Sequence, residues 1–148
     1  ENGAQQVWLN GENVTGELRT EAVGNMASKS SAKQPVRDKL LQLQRDMAVR
    51  QNVVMDGRDI GTNVLPDAEV KIFLTASSAE RARRRYEELV EKGETCDIHQ
   101  IEADIIKRDE QDMNRAIAPL KQAEDAVLVD SSHMTIEEVV KAIVDLCK

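Results

Sequence analysis

The sequence predicts an α/β fold in which parallel strands alternate with helices. Three short runs have strand propensity, at Val53–Asp56, Glu69–Thr75 and Ala126–Asp130. Longer segments with helical patterning separate and follow them, and this alternation is typical of a parallel sheet covered by helices. We therefore expect a layered α/β core in the second part of the chain.

The composition limits the class of ligand. The 148 residues carry 27 acidic and 20 basic side chains, a net charge of −7 at pH 7, which disfavours a general nucleic-acid or membrane surface. Trp8, Phe73 and Tyr86 are the only aromatic residues. The core should therefore be aliphatic, and base stacking on aromatic platforms is disfavoured. A small anionic ligand stays possible where basic residues concentrate.

The cellular setting follows from what the sequence lacks. Cys96 and Cys147 are too few and too far apart for a disulfide framework or a zinc site, so we expect two reduced thiols. No apolar run has the length of a membrane span, and no secretory signal is visible. We expect a cytoplasmic protein with no membrane or nucleic-acid partner.

A change of composition near Asn52 predicts two domains, residues 1–52 and 53–148. The first begins with a predicted hairpin, because Asn10-Gly11 suits a type I′ turn between short strands. A second Asn-Gly pair, at residues 2–3, has no strand before it, and we expect a preceding strand to be missing. Two helices follow, a polar one over roughly Glu21–Ala32 and a stronger one from Pro35 to about Arg50.

The second domain opens with the stretch around which the chain is organised. The predicted strand Val53–Asp56 runs into a charged turn with the sequence D-G-R-D-I-G-T, followed by a loop to Pro66. Open α/β sheets bind ligands at the carboxyl ends of their strands. Arg58 offers a planar fork for phosphate or carboxylate, and glycines allow close backbone approach. For a lone D-G-R-D sequence, a salt-bridged turn is the commoner explanation.

The predicted helix Ser78–Lys92, with Ser78 as its expected cap, concentrates positive charge at arginines 81, 83, 84 and 85. Like charges at this spacing repel unless partners are present, and nearby glutamates supply part of the compensation. Two interpretations carry about equal weight here. The helix presents either a solvated, salt-bridged face or a clamp that closes over a polyphosphate.

The next predicted helix, about Ile98–Asn114, leads to a second basic group. Arg108, Asp112 and Arg115 share one face at spacings of four and three. This spacing fits either an ordinary ladder of ion pairs, the commoner case, or two arginines holding a phosphate while Asp112 accepts a sugar hydroxyl. The last helix, Thr135–Cys147, has capping residues at its start.

No glycine-rich phosphate loop of the form G-x-x-x-x-G-K-[ST] occurs in the sequence, and the Gly57–Gly61 pair lacks the lysine. His99 and His133 have no partners at metal-ligand spacing. The residues alone therefore predict an α/β domain with an arginine-rich site for an anionic ligand.

Together these stretches closely resemble bacterial cytidylate kinase, a P-loop nucleoside monophosphate kinase, over nearly the whole chain. The most specific part is D-G-R-D-I-G-T followed by L-P-D-A-E-V-K-I-F-L at residues 65–74, with further matches at Glu80–Tyr86 and Asn114–Leu120. The resemblance implies a three-layer P-loop kinase core over residues 53–148, with an arginine-rich lid at about 78–96. It also implies a small α+β nucleoside-monophosphate-binding subdomain over residues 1–52.

The resemblance also implies what is missing. The family begins with a strand and a Walker A loop that this sequence lacks, so the chain looks like the last two-thirds of such an enzyme. The P-loop strand would lie between Val53–Asp56 and Glu69–Thr75. We therefore expect an incomplete parallel sheet with unpaired backbone groups.

The resemblance assigns a role to each candidate site residue. Ser28, Arg37 and Asp59 are expected to read the cytosine base. Arg58 and Arg115 are expected to contact the substrate phosphate, and Arg108 and Asp112 the ribose. Asp56 would be a catalytic residue near the phosphates and the water shell of Mg²⁺, with no direct metal ligand in the chain. Arg84 and Arg85 would be catalytic lid arginines, and Arg81 a contact to the ATP phosphates.

The implied reaction is phosphoryl transfer from ATP to CMP or dCMP, with Mg²⁺, in pyrimidine nucleotide metabolism. The whole enzyme is expected to be monomeric, and this chain alone is expected to be inactive. Two alternatives stay open at this stage. One is a non-catalytic CMP-binding module, and the other is a chain that completes its sheet by association.

Overall fold

The computed structural model describes residues 5–18, 20–31 and 33–148, apart from the side chains of Glu21, Asn25 and Ser28. The chain divides into two compact units, Glu1–Asn52 and Val53–Lys148. The strand expected before the Asn-Gly pair at residues 2–3 and the end of the first predicted helix at Ala32 lie outside the described residues.

The first unit opens with the predicted hairpin. Strands β1 (Trp8–Leu9) and β2 (Glu12–Asn13) pair in antiparallel orientation. Asn10 and Gly11 between them have φ angles of 51° and 88°. Positive φ at both central residues is the requirement of a type I′ turn, so the Asn-Gly prediction is confirmed. The strands are shorter than the sequence predicted.

Two helices complete the first unit, α1 (Glu21–Ser31) and α2 (Gln34–Arg50), and they contact one another. Pro35 lies in the first turn of α2, where its missing N–H leaves no helical bond unmade. An apolar stripe at three- and four-residue spacing along α2 is half exposed within this unit. It consists of Val36, Leu40, Leu43 and Met47.

The second unit is built on a parallel pair of strands, β3 (Ile72–Thr75) and β4 (Val127–Asp130). Ile72 lies opposite Val127 and Thr75 opposite Asp130. Helices α3 (Ser78–Glu91) and α4 (Ile98–Asn114) connect the two strands, and α5 (Ile136–Leu146) follows β4. This order confirms the predicted α/β class.

The helix starts follow capping chemistry, with one correction. Ser77, rather than Ser78, caps α3, because its Oγ accepts a hydrogen bond from the Glu80 N–H at 3.2 Å. Ser78 instead donates to Glu102 Oε1 at 2.8 Å and so joins α3 to α4. Thr135 and Glu138 form a reciprocal capping box at the start of α5.

The prediction of a strand at Val53–Asp56 is wrong. The segment forms no strand, and the Val54 side chain is 101% exposed. A strand needs a neighbour to receive its backbone hydrogen bonds, and within residues 53–148 the sheet consists of β3 and β4 alone. The resemblance places another strand between this segment and β3. The start of β3 is set in the same way. It begins at Ile72 rather than Glu69, because β4 offers only four residues for pairing.

The core of the second unit is small and aliphatic, as the composition predicts. Its buried apolar side chains come from the turn after the charged stretch, the end of β3, α3 and β4: Val64, Ala76, Ala82 and Val129. Leu74 and Leu128 on the sheet are more than half exposed. In the part of the chain that the structure describes, no helix is long and apolar enough to cross a membrane.

Candidate functional site

The charged stretch after Asp56 folds into a tight turn. Residues Ile60–Val64 form one π-helical turn, in which the Asp59 carbonyl accepts from Asn63 N–H at 2.9 Å and Val64 N–H at 3.2 Å. A Cβ placed on Gly57 would lie 2.9 Å from Ile60 Cγ1, so any larger residue there would force the Ile60 side chain to shift. Isolated π-turns are frequent at functional sites. This one carries Arg58 and Asp59 at its start.

Arg58 points from this turn to helix α4. Its Nε lies 2.8 Å from Asp112 Oδ2, and its Nη1 lies 3.6 Å from Asp109 Oδ1. Asp112 is buried, with 8% of the residue exposed. Burial of a carboxylate requires a charged partner, and Arg58 supplies it from more than fifty positions earlier in the chain.

Arg115 approaches the same carboxylate from the end of α4. Its Nη1 lies 3.7 Å from Asp112 Oδ1 and its Nη2 lies 3.4 Å from Asp59 Oδ1. The chain after α4 folds back, since Leu120 N–H donates to the Asp112 carbonyl at 2.8 Å. Arg115 Nε donates to the Ala118 carbonyl at 2.5 Å, and Ala118 has a φ of 47°. This loop fixes the Arg115 guanidinium beside Asp112.

Two buried atoms in this group lack a hydrogen bond. Asp112 Oδ2 and Arg115 Nη2 lie within ion-pair distance of partners, but the angles are not those of hydrogen bonds. Their charges are therefore neutralised while one acceptor and one donor stay unsatisfied. Unsatisfied buried polar atoms are uncommon and mark places where a polar ligand gains most.

Arg81 connects the group to the sheet. Its Nη2 donates to Asp109 Oδ2 at 2.6 Å, and its Nε donates to the carbonyl of Ala76, directly after β3, at 3.1 Å. Three arginines and three aspartates thus converge at the carboxyl end of a parallel strand. We call this group the Asp112 cluster; it consists of Arg58, Asp59, Arg81, Asp109, Asp112 and Arg115.

The other arginines of α3 are paired largely within their own helix. Arg83 binds Glu80 and Glu87, and Arg85 Nη1 lies 2.8 Å from Glu88 Oε2. Arg84 Nε lies 2.9 Å from Glu80 Oε1, and its Nη2 donates at 2.6 Å to the carbonyl of Ser131, which follows β4. We call Arg83, Arg84 and Arg85 the α3 arginine row.

These pairs lower the pKa values of two partly exposed glutamates on α3. Hydrogen bonds from Arg83 first, and then from Arg84, lower the pKa of Glu80 to about 2, against the partial opposition of desolvation. Hydrogen bonds from Lys92 and Arg85 lower the pKa of Glu88 to about 2. Both carboxylates therefore stay charged at neutral pH and neutralise the row.

The structure brings together part of the predicted site. Arg58, Asp59, Arg81, Asp112 and Arg115 converge in the Asp112 cluster. Arg84 lies at the end of β4, and Arg85 pairs on its own helix.

Of the other predicted residues, Arg108 and Asp56 belong to the second unit, and Arg37 and Ser28 to the first. Arg108 and Asp56 are exposed, and among residues 53–148 no ion pair joins either of them to the cluster. Arg37 lies in the first turn of α2, in the first unit, where its Nη1 donates to the Ser31 carbonyl at 3.4 Å. The Ser28 side chain lies outside what the structure describes.

Sequence reasoning missed Asp109 as a member of the cluster. It pairs with both Arg58 and Arg81. The available signal was its spacing of three from Asp112, which places both carboxylates on one face of a helix.

In the part of the chain that the structure describes, no three carboxylate, imidazole or thiol groups converge in a way that would hold a metal ion. Asp56 presents a single exposed carboxylate next to the turn. That donor set suits an ion that keeps most of its water shell rather than a protein cage.

The second unit is a parallel α/β unit in which arginines converge at the carboxyl end of a strand, the place where open α/β sheets bind their ligands. The sequence profile of the cytidylate kinase family matches residues 1–148. The cytidylate kinase of Geobacter sp. (strain M21) is 54% identical over 138 residues, which cover 93% of this chain and 59% of the relative. The chain belongs to the cytidylate kinase family.

Other relatives give the same result. The cytidylate kinase of Caldicellulosiruptor saccharolyticus is 51% identical, covering 97% of this chain and 64% of the relative. That of Shouchella clausii is 51% identical, covering 99% of this chain and 65% of the relative. The chain thus spans less than two-thirds of the length of these curated relatives.

Proposed function

We propose that the complete protein transfers the γ-phosphoryl group of ATP to CMP or dCMP, giving CDP or dCDP and ADP. This chain would supply the monophosphate-binding part and the lid. The observation that carries the proposal is the Asp112 cluster, in which Arg58 and Arg115 flank a buried aspartate with an unsatisfied oxygen. The relatives' names agree with it.

The cluster has the chemistry that a nucleoside monophosphate requires. Arg58 and Arg115 bind the substrate phosphate in this proposal, because a guanidinium exchanges a carboxylate for a phosphate with similar geometry. Asp112 accepts hydrogen bonds from the ribose hydroxyls, and Arg108 is the second proposed ribose contact. Asp59, together with Ser28 and Arg37, reads the cytosine base. Support for this division comes from the 3.4 Å distance between Arg115 Nη2 and Asp59 Oδ1, which joins the phosphate and base sides.

Phosphoryl transfer depends mainly on positioning and on neutralising charge at the transferred group. Arg84 and Arg85 are the proposed catalytic lid residues, and Arg81 a contact to the ATP phosphates. Arg84 and Arg85 are 40% and 39% exposed in pairs on their own helix. Exposed pairs of this kind are weak, so exchanging a glutamate for a phosphate costs little.

ATP and Mg²⁺ are the proposed donor and cofactor of the complete protein. The sequence holds no phosphate loop with a lysine, so its residues do not themselves form a cradle for ATP. When bound, Mg²⁺ would neutralise phosphate charge, and the exposed Asp56 carboxylate would contact its water shell. We expect this chain alone to bind the monophosphate without phosphorylating it, and we place the complete protein in the cytoplasm.

A coupled ADP-release assay of the complete gene product with ATP, Mg²⁺ and CMP tests the proposal. Turnover of CMP and dCMP above that of UMP and AMP is expected. Absence of turnover, with CMP still bound in calorimetry, would instead establish a non-catalytic CMP-binding module. Absence of both turnover and CMP binding would contradict the proposed function. Light scattering of this chain alone separates a monomer from a chain that completes its sheet by association.

A further inference from the structure

Lys71 stands directly before β3 and has a nearly buried side chain that the proposed reaction does not use. Its side chain is 7% exposed, and its Nζ lies 2.6 Å from Asp125 Oδ2. The same Nζ donates to the carbonyl of Pro66, at the end of the loop that follows the charged turn. A lysine is rarely buried to this extent without a specific partner. Here it has two partners from different parts of the chain.

The stem of Lys71 covers the π-helical turn. The Cδ, Cγ and Cβ atoms of Lys71 lie 3.5, 3.6 and 3.8 Å from the position that a Cβ on Gly61 would take. The aliphatic stem therefore lies over the turn at Gly61, at ordinary contact distance from that position, as long lysine stems do on apolar surface.

The backbone of Lys71 is held by the sheet. Its carbonyl accepts a hydrogen bond from Val127 N–H at 2.9 Å, one residue before the register pair Ile72–Val127. The side chain thus reaches from a fixed point on the sheet to the turn at Gly61 and to the loop at Pro66. Within the turn, the carbonyls of Asp59 and Ile60 accept hydrogen bonds from the amides of residues 63–65.

We propose that Lys71 is a positioning residue for the Asp112 cluster: by packing on Gly61 and binding the Pro66 carbonyl, it fixes the turn that presents Arg58 and Asp59. Its role in substrate binding rests on the proposed function. The ammonium group suits this task because three donors on one nitrogen bind a carbonyl and a carboxylate together. The partner carboxylate, Asp125, is 64% exposed.

Asp125 distinguishes this role from that of an ordinary ion pair. The hydrogen bond from Lys71 lowers the pKa of Asp125, which keeps this carboxylate charged at neutral pH. Because Asp125 is largely hydrated, its removal leaves Lys71 able to keep the Pro66 contact. Removal of the ammonium group itself leaves the Pro66 carbonyl without that donor.

Hydrogen exchange of the complete gene product tests the inference without any ligand. In Lys71→Met, amide exchange at residues 63–65 should rise about tenfold or more, while the amides of α3 and α4 keep their native rates. Lys71→Arg should restore most of the protection, because it keeps the stem and the donors. Asp125→Asn, the matched control, should raise exchange by no more than about threefold.

Steady-state kinetics supply the second readout. Lys71→Met should raise KM for CMP about tenfold while KM for ATP changes less than about twofold, and Lys71→Arg should reverse the effect. Equal exchange in Lys71→Met and native protein would overturn the inference, as would a uniform rise across α3 and α4. If Lys71→Met does not fold, Lys71→Gln decides, because its shorter side chain does not reach the Pro66 carbonyl: a local rise at residues 63–65 supports the inference, and native rates there overturn it.

The two failures are distinguishable. If the native protein neither binds nor phosphorylates CMP, the proposed function fails, while the exchange comparison still decides whether Lys71 holds the turn. If CMP is phosphorylated with an unchanged KM in Lys71→Met, the inference fails and the proposed function stands.

Discussion

The Asp112 cluster and the α3 arginine row both pair arginines with carboxylates, but the sequence separation and burial of the pairs differ. In the cluster, partners come from segments far apart in sequence, such as Arg58 with Asp112 and Arg115 with Asp59. In the row, most pairs join residues three or four positions apart on one helix. The cluster is largely buried at Asp112, whereas Arg83 is 52% exposed.

Under the proposed function, this difference corresponds to a division of tasks between substrate recognition and the lid. Pairs between distant segments depend on the fold and hold their geometry before a ligand arrives, which is what recognition requires. Exposed pairs within a helix form locally, are weak and exchange readily. We therefore expect disruption of the cluster to cost more free energy of folding than rearrangement of the row.

Asp112→Asn should give the largest effect on stability. The substitution keeps the size of the side chain but leaves Arg58 and Arg115 without their shared carboxylate, at an expected cost of about 2–3 kcal/mol. Urea unfolding followed by circular dichroism measures it. Asp145→Asn is the matched control, since Asp145 forms exposed pairs with Lys141 and Lys148 on and beside α5. Equal stability of the two variants would contradict the comparison.

Gly57→Ala should destabilise the turn by about 1–3 kcal/mol, because the added Cβ would lie 2.9 Å from Ile60 Cγ1. Gly61→Ala supplies the control. There the nearest side-chain atom, Lys71 Cδ, lies at an ordinary contact distance of 3.5 Å, and a cost below about 1 kcal/mol is expected. The reverse order in thermal unfolding would show that the Ile60 side chain shifts at little cost.

A third test compares two arginines of one helix. Arg81→Ala removes a bridge between Asp109 and the Ala76 carbonyl, and should cost about 1 kcal/mol. Arg83→Ala removes exposed pairs to Glu80 and Glu87, and should cost less than about 0.5 kcal/mol. Urea midpoints measure both. A larger loss in Arg83→Ala would remove the distinction between cluster and row.

The smallest effect on stability is expected from the α3 arginine row when the pH of the solution is lowered. Because the pKa values of Glu80 and Glu88 are lowered from 4.5 to about 2, the pairs persist above pH 4.5. Their contribution is lost only as the pH falls through about 2. Carboxyl carbon chemical shifts followed by NMR should give midpoints near 2 for both residues. Midpoints near 4.5 would show that the glutamates do not neutralise the row in solution.

Local signals in the sequence predicted most of the fold. The Asn10-Gly11 turn, Pro35 in the first turn of α2 and the capping chemistry of α5 all depend on neighbouring residues. The strand at Val53–Asp56 failed because strand formation needs a partner that local propensity does not reveal. The cap of α3 was predicted one residue too late, at Ser78 instead of Ser77, because two adjacent serines suit the cap position equally well.

The site was predictable only in part for the same physical reason. Spacing on α4 identified Asp112 and Arg115, and the D-G-R-D sequence identified Arg58 and Asp59. Which carboxylate each arginine contacts depends on the packing of α3 against α4, and so the part played by Asp109 emerged only from the structure. The burial of Lys71 was not predicted, because a lysine at the start of a strand is ordinarily solvent exposed.

Calorimetric titration of CMP into the complete gene product tests the central claim most directly. With Arg83→Ala as the matched surface variant, the account predicts a native Kd, because the α3 arginine row is not part of monophosphate recognition. With Asp112→Asn, provided that its native fold is confirmed by circular dichroism, it predicts a Kd raised at least about tenfold. A native Kd for CMP in Asp112→Asn would contradict the claim that the Asp112 cluster is the substrate site.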